Sequence, residues 1–151
     1  MTTDQSLPLD ANGRAIPAGL PFYCSKTRAY DGTIGATGAV TLFTVTGQVA
    51  VRVIGMCTED VTGAGTLEVG ISGNTAGLLA QIADATNLDA GESYLDATPS
   101  TVESVDLSSG FILSNGQDII ETIGTTALTN GTVIFGCLWR PLSDNSSVVA
   151  A

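Results

Sequence analysis

The chain has 151 residues, enough for one ordinary domain and too few for two well-packed ones. Charged residues are 13% of it, against about 25% in a typical soluble domain, while Gly stands at 18 and Thr at 20. There is no histidine, which excludes Ser-His-Asp and Cys-His catalysis and two-His metal sites, and the net charge of −10 argues against binding of nucleic acid by phosphate neutralisation.

Residues 1–36 are punctuated by Pro8, Pro17 and Pro21 with Gly13, Gly19, Gly32 and Gly35, too often for a helix or a central strand. They are expected to form an extended arm. Its segment "LPFYCSKTRAY" carries Phe22, Tyr23 and Tyr30 beside Lys26 and Arg28, enough apolar surface to dock on a neighbour. The opening "MTTDQSLPLDANG" has neither a basic start nor an apolar stretch, so it does not read as an export signal. Charge divides unevenly along the chain. Residues 1–31 balance Arg14, Lys26 and Arg28 against Asp4, Asp10 and Asp31, whereas the remainder sets Arg52 and Arg140 against twelve acidic residues.

From residue 37 onward strand signals recur. "AVTLFTVTG" sets Phe43 and Val45 on one face and Leu42, Thr44 and Thr46 on the other; Gly47-Gln48 supplies a turn or kink. In "VAVRVIGMCT", Val49, Val51 and Val53 point one way and Ala50, Arg52 and Ile54 the other, a period of two that means strand. These two runs are expected to be neighbouring strands, with a bulge at Gly55. "TLEVGIS" alternates again. "LLAQIADAT" fits a helical pair or a strand and is assigned to a strand because its surroundings are β. Residues 84–101 form a polar excursion with a short piece around Tyr94 and Leu95. "VESVDLS" and "GFILS" read as short strands, and Asn115-Gly116 as a hairpin turn into "QDIIETIGTT". In "TVIFGCLWRPL", Val133, Phe135, Cys137 and Trp139 share a face, and the tail 143–151 is expected to be mobile.

The expected fold is therefore all-β: an antiparallel β-sandwich of jelly-roll type with about eight strands over 37–142, preceded by the arm 1–36. Cys24, Cys57 and Cys137 form no CxxC pair and are expected to be reduced. No run approaches 18 apolar residues, so no membrane span is expected.

No catalytic, cofactor or metal site emerges. Lys26, the one lysine, lies in the arm, and the Gly-rich stretches "GATGAV" and "GAGTLEVG" lack a P-loop lysine. Glu59-Asp60, Asp84, Asp89, Glu92 and Asp96 could supply a glycosidase pair or a calcium cage, but aromatics are 5% of the chain and the EF-hand spacing fails at Leu88. A solvated acidic loop is the preferred reading. Trp139-Arg140 suits either an interface anchor or a core-edge ring with Arg140 in an internal ion pair, and the second is preferred. The candidate interface residues are Phe22, Tyr23, Lys26, Arg28, Tyr30, Trp139 and Arg140.

"TLFTVTGQVAVRVIGMCTEDVTGAGTLEVGISGN", "DATPS" and "CLWRPLS" together resemble small all-β virion proteins of tailed bacteriophages, over residues 40–142 in order. The resemblance implies a non-enzymatic capsid decoration or cement protein, assembled in the host cytoplasm and carried on the capsid surface. Its partners would be the major capsid protein and copies of itself, as a homotrimer at three-fold positions. The alternative is a tail- or fibre-associated receptor-binding or adaptor module. Neither role calls for a cofactor, nucleic acid or membrane.

Overall fold

The computed structural model of the chain describes residues 12, 13 and 19–151. Of the expected arm, residues 1–11 and 14–18 lie outside the described residues. Ten strands form two five-stranded antiparallel sheets packed face to face.

The first sheet holds β1 (Phe22–Ala29), β9 (Asn130–Pro141) and β3 (Val49–Thr62) in that order, with β6 (Ser93–Tyr94) and β7 (Phe111–Leu113) both pairing β3. The second runs β10 (Ser147–Ala150), β2 (Gly38–Thr46), β8 (Ile119–Gly124), β4 (Thr66–Ile71) and β5 (Asn74–Ile82). Alternation drives the assembly, because each strand turns one row of apolar side chains inward and burial follows that row. Val49, Val51, Val53 and Cys57 of β3 meet Val133, Phe135 and Cys137 of β9; Leu67, Val69, Ile119 and Ile123 face them from the second sheet. Tyr94 ties the layers together. Its buried hydroxyl lies 3.0 Å from the Leu67 carbonyl and 2.7 Å from that of Ala80.

Several expectations are corrected. Phe22–Ala29 form an edge strand paired with β9 along its whole length, so the later part of the expected arm belongs to the sandwich. The tail contributes β10, with Val148 buried against β2, in place of a mobile end. The strands β2 and β3 are not neighbours, since the Gly47 turn carries the chain from the second sheet to the first. Asn115-Gly116 likewise joins strands of different sheets and makes no hairpin. Leu42 and Phe43 are both buried because a bulge between Thr41 and Phe43 breaks the alternation. Gly55 sits in regular register, and its missing side chain leaves room for Tyr94, whose Cβ would lie 2.9 Å from an added methyl. The register shifts of β3 come later, at Cys57/Glu59 and Glu59/Thr62. Residues 102–108 are not a strand; Asp106 there accepts the Ser108 amide and hydroxyl and makes a turn.

Candidate interaction surface

The sequence candidates cluster on β1 and the end of β9, and the two faces of the first sheet separate them. On the inner side, Phe22 stacks on Trp139 with ring centroids 4.8 Å apart and planes tilted by 32°. Cys24 lies opposite Cys137, and both thiols are free. Lys26 donates to the Ala151 carbonyl beyond β10. Arg28 and Tyr30 are buried. The Arg28 Nε donates to Glu121 Oε2 at 2.8 Å, and the Tyr30 hydroxyl donates to Glu121 Oε1. Burial pushes the Glu121 carboxyl up while Tyr30 and Arg28 pull it down, and burial wins. Arg28 and Tyr30 thus serve the interior and are unavailable to a partner. Glu121 is the group that sequence reasoning missed; it alternates with Ile119 and Ile123 on β8, a pattern that marks it as inward-facing.

The outer side is different. Across β1, β9 and β3 its rows read Tyr23–Leu138–Arg52, then Ser25–Gly136–Ile54, then Thr27–Ile134–Met56. Arg140 and Ala50 lie beyond the first row, with Ile112 of β7 opposite Ala50, and Thr132 and Glu59 lie beyond the last. Tyr23 lies flat over Gly136, where an added Cβ would meet its hydroxyl and ring at 2.7 Å. Tyr23 is 53% exposed and Ile112 70%. Antiparallel sheets ordinarily turn polar side chains to solvent. The outer face of the second sheet is the more polar of the two, carrying Thr41, Thr44, Thr46 and Gln81 together with Thr122 and Glu68, whose polar atoms are largely buried there, beside Ile120 and Val149. The first sheet's outer face presents Tyr, Ile, Leu and Met instead. Both arginines of the body stand on it, and among the described residues neither has a hydrogen-bonded or ion-paired carboxylate. Among the described residues Arg140 has no ion pair; Trp139 does sit at the core edge.

A second exposed apolar group borders this face. Val102 is 85% exposed, and Leu107 and Phe111 are also exposed. A cleft of about 140 Å³ opens between β5 and β7, lined by Ile71, Leu78, Phe111, Ile112 and Leu113 with Asn74 and Gly77.

The acidic groups weighed for catalysis or calcium are engaged in local turns. Asp84 accepts the Thr86 amide and hydroxyl and caps a 3-10 turn, Ala85–Asn87. Asp60 accepts the Ala90 amide, Glu92 that of Asp89, and Asp96 that of Thr98. Hydrogen bonding to Thr86 and Thr98 holds Asp84 and Asp96 below the usual carboxylate range. Among the described residues no three His, Cys, Asp or Glu side chains converge, and no helix is long and apolar enough to cross a membrane. No model of a protein family, no curated protein and no solved structure matches the chain.

Proposed function

We propose that the chain is a non-enzymatic structural protein of a tailed-phage virion, a decoration or cement protein that stabilises the capsid through the major capsid protein and copies of itself. The observation that carries this reading is the apolar, arginine-bearing outer face of the first sheet, set on a rigid sandwich. Interfaces are enriched in aromatic residues, Met and Arg, and that face carries Tyr23, Met56, Arg52 and Arg140, with Glu59 as the acid at one end. The exposed Val102, Leu107 and Phe111 add further apolar surface for contact with a neighbour.

The strand pairing supports taking the sandwich as a jelly roll. With β6 and β7 counted as one interrupted strand and β10 set aside, the outermost strands of the chain pair, β1 with β9; then β2 pairs β8, β3 pairs β6 and β7, and β4 pairs β5. That is a hairpin of four strand pairs rolled over itself, an architecture that recurs in viral capsid and lectin domains. β10 then extends the second sheet beyond β2.

The test is to add the purified chain to capsids lacking it and follow their thermal disruption. A higher disruption temperature, with copies spread over the shell by electron microscopy, is expected. Unchanged stability, or density confined to the tail, would overturn the capsid role, and the second outcome would favour the fibre-associated alternative.

A further inference from the structure

We infer that the outer face of the first sheet is a homotypic interface, closed by a two-fold axis that lies between two copies, crosses the strands and passes over Gly136. The face is self-complementary. Its centre is uncharged, built around Ile54, Leu138, Ile134 and the Tyr23 ring. One end carries Arg140 and Arg52, the latter within electrostatic reach of Asp106, and the other carries Glu59, which accepts from Thr132 and Asn130, with Gly136 midway between the Arg140 and Thr132 rows. Packing two sheets face to face about an axis perpendicular to the strands reverses the rows, so Arg140 stands over the row that holds the partner's Glu59 and Ile54 meets the partner's Ile54. An axis parallel to the strands would instead set arginines against arginines. A partner of a single charge could match one end only, whereas a second copy matches both.

The patch spans about 14 Å across three strands and about 26 Å along them, or roughly 400 Å² per copy. That is about half the ~800 Å² per partner of a standard stable interface, so the pair is weak in dilute solution and is favoured where copies are held close together. The inference deepens the self-association part of the virion reading and replaces the expected three-fold arrangement with a two-fold pair. Because it is read in free solution, capsids that gained no stability would sink the virion role and leave the pair standing.

Sedimentation equilibrium of the full chain, from about 1 µM to about 1 mM in ~0.15 M salt where charges beyond ~8 Å are screened, tests it. A reversible monomer–dimer equilibrium is expected. Ile54→Asp places two carboxylates across the axis and should weaken dimerisation by about a hundredfold or more. Arg140→Glu and Glu59→Arg each count twice by symmetry and should each weaken it about tenfold, while the double variant should return to within about threefold of the parent. The charge exchanges lie at the rim of the sheet and keep the test valid should Ile54→Asp impair folding, as judged by circular dichroism. A monomer at every concentration, a trimer without a dimer, or a double variant no tighter than the single ones would overturn the proposal. The first of these would leave the face to a different protein.

Discussion

Glu121 concentrates most of the internal electrostatics in one carboxylate, fully buried between a guanidinium and a phenol. Removing one member of such a pair leaves an uncompensated buried charge, so Glu121→Ala should cost about 3–5 kcal/mol in urea unfolding. The sign of its pH dependence follows from burial. The folded carboxyl titrates above its unfolded value, so the folded chain binds more protons in the window between the two. The site's contribution to stability is therefore greatest below the unfolded value of about 4.3 and declines as pH rises through the folded one. Comparing melts of the parent and Glu121→Gln above pH 4 checks this, since the difference between them should shrink as pH increases. Thr122 poses a simpler case. Its Oγ1 is buried without a hydrogen-bond partner among the described residues, and Thr122→Val, similar in shape, should raise stability by up to about 1 kcal/mol in the same melts.

At the scale of strands, two glycines show how local space decides tolerance. A Cβ on Gly70 of β4 would lie 2.1 Å from the Asn74 carbonyl oxygen in the β4–β5 hairpin, backbone that cannot give way cheaply. Gly70→Ala should cost about 1–3 kcal/mol. A Cβ on Gly136 meets only the end of the Tyr23 side chain, which can swing aside, so Gly136→Ala should change the unfolding midpoint little while displacing Tyr23. The long strands were legible in the sequence because a period of two over β3 and β9 has no helical counterpart. Their partners were less so. Asn-Gly and Gly-Gln mark where the chain reverses, and both turns here lead into the opposite sheet, a distinction set by packing far along the chain. The candidate residues divide for the same reason. Tyr23 and Arg140 lie on the outer face, while Arg28 and Tyr30 turn inward. Which row of an edge strand faces the core depends on its register with β9, some hundred residues later. Glu121 escaped notice because a lone acid on an apolar row has meaning only once Arg28 is set opposite it.

For the molecule as a whole, the described charges follow a division of labour. Arg28 is sequestered, Lys26 is drawn to the chain's last carbonyl, and Arg52 and Arg140 stand on one face. Acids such as Asp84, Asp96 and Asp106 hold exposed turns. Order in the two sheets depends on strands far apart in sequence. A chain cut after Thr129 lacks β9, the neighbour of both β1 and β3, and should show no cooperative unfolding transition by circular dichroism. The same wiring bears on biogenesis. Strand β1 ends at Ala29 and its partner β9 begins at Asn130. At about 5–20 residues per second, a ribosome needs roughly 5–20 s to make the intervening stretch. During that interval the nascent Phe22 and Tyr23 have no β9 to pair with, so β1 can take its place in the sheet only when synthesis is nearly done.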